Sequence, residues 1–172
     1  MLIAATLFTV AYAVVPEFQV AVKNLVLTIT ETDVYTNLGL KPLETVSPED
    51  VKVYRYSLPP IPDGYVLVDE YTVESSRFRG YWYDAPDGSH YTIDIEQGNE
   101  NSVVAIDTEN AQSVTDIVIN GYLGICVLKN GTIQIAWADT DRSVFLSIIA
   151  TTLPKEQVIE MAQAIRYIEP QQ

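Results

Sequence analysis

The spacing of hydrophobic positions changes twice along the chain. Residues 2–15 form an apolar run with no charged side chain, which Pro16 and Glu17 end. Behind it, apolar residues recur at three- and four-residue intervals, which predicts an amphipathic helix. From residue 51 onward the interval becomes two, as expected for strands with one buried face. The helical positions are Phe18, Val22, Leu25, Val26 and Ile29.

Strands are predicted wherever alternating or β-branched runs lie between turn-forming residues. Residues 59–64 hold three prolines and an Asp-Gly pair, which predicts a rigid turn. Asn130-Gly131 is the strongest hairpin signal in the chain, because both residues tolerate the positive φ angles of a two-residue turn. The predicted strands span residues 51–56, 65–74, 78–83, 91–96, 103–107, 114–119, 122–128, 132–138 and 143–149.

Helices flank this block of strands. Turn-forming residues at 37–42 and 47–50 predict a linker, and Pro154 suits the first turn of a C-terminal helix. The apolar stripe of that helix comprises Val158, Met161, Ala162, Ile165 and Ile168. Together these elements predict an α+β fold, a mostly antiparallel meander sheet of about eight strands with an N-terminal and a C-terminal helix packed on it. The predicted divisions are a membrane anchor or signal segment (1–15), an amphipathic helix and linker (16–50), and an α+β domain (51–170).

The apolar run at the N-terminus predicts a location outside the cytoplasm. A helix over residues 2–15 would be about 21 Å long, shorter than the hydrocarbon core of a bilayer at about 30 Å. The favoured interpretation is therefore the outer end of a single spanning anchor. Ala11-Tyr12-Ala13 resembles a signal-peptide cleavage site, although no basic residue precedes the run, so secretion after cleavage stays open, as does a buried helix.

The net charge of −13 argues against nucleic-acid binding, because it repels phosphate backbones. Charge is most uneven over residues 80–128, which hold eight acidic side chains and no Lys or Arg. A surface for calcium or another cation is one interpretation, and a solvated face is the favoured one, since the spacing matches no calcium loop. The acidic positions are Asp84, Asp87, Asp94, Glu96, Glu100, Asp107, Glu109 and Asp116.

Catalytic and metal-binding motifs are not evident in the sequence. One cysteine (Cys126) and one histidine (His90) cannot form a structural zinc site, and every Ser-His or Cys-His pair would depend on His90. Acidic pairs such as Asp94 with Glu96 lack any sign of the desolvated cleft that a glycosidase needs. The sequence therefore predicts a protein that is not an enzyme, with no catalytic residue, no metal and no cofactor.

Aromatic residues are unusually frequent, with 11 tyrosines and 2 tryptophans. Strand propensity explains most of them, but tyrosine and tryptophan also line partner interfaces. An interaction surface is predicted from the aromatic cluster and two acidic residues on one strand. Its members are Tyr54, Tyr56, Tyr81, Trp82, Tyr83, Asp94 and Glu96.

The order of features resembles a known family. Pro62-Asp63-Gly64-Tyr65 precedes the strands, and Trp137-Ala138-Asp139 precedes the apolar strand 144–149 and the helix 156–165. This order is similar to that of the domain of unknown function 4367 of Gram-positive bacterial proteins, over residues 55–168. The resemblance implies a domain outside the cell behind one membrane helix, sometimes in proteins that look like anti-sigma factors. It implies no catalytic residues.

Two functions follow as hypotheses. The first is a membrane-tethered, non-catalytic interaction or sensory domain outside the cytoplasm, acting in envelope signalling through a protein or cell-envelope partner. The second is a carrier or sensor of small apolar ligands, with a cavity between a curved sheet and the C-terminal helix.

Overall fold

The computed structural model describes residues 35–39, 55–73, 77–98 and 102–170, with 35–39 described as backbone. The predicted anchor, the predicted amphipathic helix and most of the predicted strand 51–56 lie outside the described residues. Tyr56, the last residue of the predicted strand, forms an isolated antiparallel bridge with Tyr167.

The described elements are nine strands and one helix, in this order along the chain: β1 (Tyr35–Gly39), β2 (Val66–Val73), β3 (Phe78–Asp84), β4 (His90–Gln97), β5 (Val103–Asp107), β6 (Ser113–Ile119), β7 (Tyr122–Lys129), β8 (Thr132–Asp139), β9 (Val144–Thr151) and α1 (Lys155–Ala164). The predicted C-terminal helix and the mostly antiparallel sheet are confirmed. Pro154 stands at the N-cap position, directly before the first helical residue.

Within the described residues, seven strands form the main sheet, in the order β2-β3-β4-β9-β8-β7-β6, and all its pairings are antiparallel. The prediction of one continuous meander is corrected, because β9 pairs with β4 and β5 leaves the sheet to pair with β1. Burial explains the position of β9, since a central strand can cover apolar residues on both of its faces. The strand at Tyr35–Gly39 also differs from the linker predicted from residue 37.

Two short turns set the register on one side of the sheet. Asn130 and Gly131 both have positive φ and join β7 to β8, which confirms the predicted hairpin. Asn120 and Gly121 form a second such turn between β6 and β7, with φ of 53° and 91°. The same dipeptide signal was present there in the sequence, although no hairpin was predicted.

The helix covers one face of the sheet. Val158, Met161 and Ala162 of α1 are buried against alternate residues of the central strands, including Ile135 and Ile148. Fully burying one such aliphatic side chain stabilises the fold by about 1.5–3 kcal/mol. The larger of the two clusters of buried residues lies on this face, which therefore holds the main core.

The second face is covered over part of its area. Ile106 of β5 packs in a separate cluster with Ile125, Val127, Ala136 and Phe145 from β7, β8 and β9. The side chains of β2, β3 and β4 on this same face are only partly covered. We call this uncovered part the open face, defined by Tyr71, Phe78, Trp82, Asp94 and Glu96.

Candidate functional site

The register of three strands assembles the open face. Phe78 of β3 lies opposite Glu96 of β4, and Gly80 lies opposite Asp94. Gly80 also pairs with Tyr71 of the edge strand β2, on the side of β3 away from β4. Since alternate residues of a strand share a face, all these side chains project from the same side of the sheet. Residues distant in sequence thus form one surface.

Glycine at position 80 permits the close approach of Tyr71. A Cβ atom at Gly80 would lie 2.2 Å from Cζ of Tyr71, so the aromatic ring lies directly over the glycine backbone. In this position the Tyr71 hydroxyl donates a hydrogen bond to Oδ1 of Asp94 at 3.3 Å. The Tyr71 ring stacks on the ring of Phe78, with centroids 5.6 Å apart. A glycine inside a strand often marks such an approach, so the sequence signals a close contact at Gly80, while only the pairing of β2 with β3 identifies Tyr71 as the partner.

A partly open cavity of about 200 Å³ adjoins Phe78. Val104 of β5 contributes to its wall, and the two carboxylates are those of Asp94 and Glu96. Its remaining lining is mostly apolar or neutral: Phe78, Gln134, Ala136, Trp137, Phe145, Leu146, Ser147 and Ile149.

Burial sets the electrostatics of this cavity. It raises the pKa of Asp94, and the neighbouring charge of Glu96 raises it further, while hydrogen bonds from Tyr71 and Ser147 oppose the change. Burial and the negative charge of Asp94 together raise the pKa of the Tyr71 hydroxyl. Four ion pairs, Arg79–Glu70, Lys129–Asp107, Arg142–Asp139 and Arg142–Glu169, use other carboxylates.

Trp82 also lies on the open face, opposite Thr92, and is 38% exposed, as is Tyr71. Its indole Nε1 donates to Oδ1 of Asp84 at 2.5 Å, and its ring stacks on His90 with centroids 5.0 Å apart. These contacts hold the Trp82 ring at the surface in one orientation.

The structure brings only part of the predicted surface together. Trp82 lies on the open face with the two acids of β4, whereas Tyr81 and Tyr83 lie in the core on the helix side. Strand alternation sends neighbours in a run to opposite faces. Tyr56 is buried as well, and Tyr54 lies outside the described residues. Tyr71 and Phe78 were missed by the sequence prediction.

A second polar site lies at the end of the sheet where β8 and α1 have their C-termini. Asp139, only 3% exposed, accepts hydrogen bonds from the Tyr56 hydroxyl at 2.8 Å and from Nη1 of Arg142 at 3.2 Å. Arg142 also pairs with Glu169 and lies over the ring of Tyr167, 4.4 Å from its centroid. Burial and the charge of Asp139 strongly raise the pKa of Tyr56. A cavity of about 230 Å³ adjoins this network. Because its charges are already paired, the network suits a structural role.

Replacing Asp94 with asparagine tests the electrostatics of the open face. The pKa of Asp94 is higher in the native protein than in the unfolded chain, where it is near 4. The stability of the wild type therefore falls as the pH rises from about 4 through the pKa of the native protein. Asparagine keeps an acceptor for Tyr71 without a charge. We therefore expect D94N to melt at a higher temperature than wild type at pH 7, with a smaller difference at pH 4, in thermal unfolding followed by circular dichroism.

The control for this experiment is D116N, which removes a charge from an exposed position on β6. It accounts for the general effect of lowering a net charge of −13. An equal gain in D116N, or a D94N gain that does not depend on pH, would show that burial of Asp94 carries no cost.

The comparisons with known proteins decide the family. Residues 55–165 match the domain of unknown function DUF4367. The chain belongs to this family. The matched residues begin just before Tyr56 and end at Ile165, the C-cap residue of α1. The DUF4367 region therefore contains the open face and the central residues of the Asp139 network, whereas Tyr167 and Glu169 lie just beyond it.

Other similarities to the DUF4367 chain are weak. No curated protein matches it. Among solved structures, "Crystal structure of MucB in complex with MucA(peri)" is similar at 13% sequence identity with a TM-score of 0.39. The similarity covers 67% of this chain and 38% of that one, and at this TM-score it carries no inference on fold or function.

In the described parts of the DUF4367 chain, no group of three or more His, Cys, Asp or Glu side chains is arranged to hold a metal ion. Across those same ranges, no helix has both the length and the apolar character needed to cross a bilayer.

Proposed function

We propose that this protein is a non-catalytic interaction or sensory domain that works outside the cytoplasm, tethered to the membrane by its N-terminal segment. In this proposal it acts in envelope signalling, in an anti-sigma-like context, and binds a protein or cell-envelope partner with the open face. The observation that carries the proposal is the exposed aromatic and acidic surface formed by β2, β3 and β4.

The composition of the open face supports binding. Tyr71, Phe78 and Trp82 present rings in orientations fixed by stacking and hydrogen bonds. Aromatic residues are enriched in protein interfaces, where they supply contact area at low entropic cost. A preorganised surface also loses less conformational freedom on binding.

The environments of the single cysteine and the single histidine support the non-catalytic part of the proposal. Cys126 is buried between β6 and β8, and burial raises the pKa of its thiol, which disfavours the reactive thiolate. The His90 ring stacks on Trp82.

The packing of α1 does not favour the ligand-carrier hypothesis. Val158, Met161 and Ala162 are buried directly on the sheet, so side chains fill the space between sheet and helix. The cavity of about 200 Å³ lies on the opposite face and is smaller than the roughly 300–1,000 Å³ of sites for drug-sized ligands.

Cell fractionation tests the proposed location. We expect the full chain with a C-terminal tag to sediment with membranes, and protease added outside intact cells to remove the tag. A cytoplasmic protein of known location serves as the control for cell integrity. A tag found wholly in the soluble cytosol would contradict the proposal.

Site-specific crosslinking in cells tests the proposed surface. A photoreactive residue at Trp82 is expected to give a discrete crosslinked product, because Trp82 lies on the open face. The same residue at Val118, exposed on β6 at the other edge of the sheet, is the control. Products that are absent at position 82, or equal at both positions, would count against binding through the open face.

A further inference from the structure

The cavity of the open face combines negative charge with apolar walls. Asp94 and Glu96 occupy alternate positions of β4, so their carboxylates project from the same side of one strand. Phe78 of β3 and Phe145 of β9 lie opposite Glu96 on the two strands that flank β4, and both line the same cavity. A group that fits this lining has a positively charged end and an apolar stem.

The surroundings of the cavity strengthen its negative potential. Residues 80–128, which include all of β4, contain no Lys or Arg, and Arg79 beside Phe78 is paired with Glu70. The ring of Phe78 lines the cavity with the two acids, and the negative face of an aromatic ring attracts a cation further. Partial burial of Asp94 lowers the local screening by water, which strengthens attraction to an opposite charge.

The size of the cavity limits what it can hold. A volume of about 200 Å³ is too small for a typical drug-sized ligand and suits a single long side chain. Lysine and arginine carry an apolar stem and a charged head, the combination that the lining accepts.

We propose that the cavity beside Phe78, Asp94 and Glu96 binds the basic side chain, lysine or arginine, of a polypeptide partner. The stem lies against Phe78, and the charged head meets the two carboxylates. This inference rests on the proposed function and specifies the chemistry of the partner.

Peptide binding to the purified full-length chain tests this assignment. The probe is a short fluorescent peptide, blocked at both ends, with one lysine between two leucines, and the matched probe has neutral norleucine in place of lysine. Fluorescence polarisation is expected to show at least about ten-fold weaker binding of the norleucine peptide. Affinity for the lysine peptide is expected to fall as salt rises, because ions screen the charge pair.

Two kinds of variant distinguish a lysine side chain bound in the cavity from general attraction of the peptide to an acidic protein. The double variant D94N/E96Q removes both charges of the cavity, and S147M fills the cavity while both carboxylates remain. Each is expected to weaken binding of the lysine peptide at least about ten-fold. The control D116N/E109Q removes two exposed charges elsewhere and is expected to bind within about two-fold of wild type. Thermal melts confirm that each variant is folded.

Each outcome decides the proposal. Equal binding of the lysine and norleucine peptides would overturn it, as would an equal loss in D116N/E109Q, which would indicate attraction by net charge alone. Unchanged binding in S147M would also overturn it. The failure of this inference differs from failure of the proposed function: crosslinks from position 82 in cells together with no lysine selectivity would reject the basic side chain and retain the interaction surface.

Discussion

Replacing Asp139 with alanine is expected to lower the free energy of unfolding by about 3 kcal/mol. Removing one partner of a buried ion pair typically costs about 3–5 kcal/mol. Arg142 is about a quarter exposed and keeps its bond to Glu169, which places the expected loss at the lower end. Chemical denaturation followed by circular dichroism measures it.

The physical reason is the number of groups that Asp139 satisfies. Its carboxylate accepts from the buried hydroxyl of Tyr56, from the guanidinium of Arg142 and from the backbone N–H of Arg142. Alanine would leave the Tyr56 hydroxyl without its acceptor in a buried environment, which costs about 1–3 kcal/mol by itself. The same change would release the turn between β8 and β9.

The matched control is D141A, two residues further along the chain. Asp141 is exposed and accepts from the Tyr122 hydroxyl at 2.8 Å, so its removal should cost about 1 kcal/mol or less. A double-mutant cycle of D139A with Y56F should give a coupling energy of about 1 kcal/mol or more. Equal losses in D139A and D141A would show that burial of the Asp139 network does not stabilise the fold.

Replacing Gly124 with alanine is expected to cost about 3 kcal/mol. A Cβ atom at Gly124 would lie 2.4 Å from the carbonyl oxygen of Ala136 and 2.7 Å from Cβ of Trp137, both on the paired strand β8. Backbone atoms can yield only if the β7–β8 pairing shifts, and Trp137 is fully buried in the core. Overpacking in such a core costs about 1–3 kcal/mol, occasionally more. Urea denaturation at neutral pH measures the loss.

G80A provides the matched comparison, because Gly80 also lies inside a strand. Its added Cβ would meet only the end of the Tyr71 ring, which can rotate into solvent. Alanine also restricts the unfolded chain, which offsets part of the cost, so the net change should stay within about 1 kcal/mol. G80A should also lower the pKa of Tyr71 towards its ordinary value, because the ring leaves Asp94. A loss in G80A as large as that in G124A would contradict this account.

Local sequence patterns predicted most of the secondary structure. Alternation identified β3 to β9 to within about two residues, and Asn130-Gly131 identified the hairpin that joins β7 to β8. These signals are local, because turn residues and strand alternation act over a few neighbouring positions. The candidate site was harder to predict from the sequence, since Tyr71 contacts Asp94 only because β2, β3 and β4 pair side by side.

The sequence by itself determined the antiparallel strand content, the C-terminal helix, the strongly acidic character and the family. Only the tertiary structure decided that β9 lies between β4 and β8, and that β5 leaves the sheet and its Ile106 packs over part of one face. It also decided that Tyr81 enters the core while Trp82 stays at the surface. The physical reason is that alternation separates the two faces of a strand, whereas long-range pairing and packing determine which face is covered.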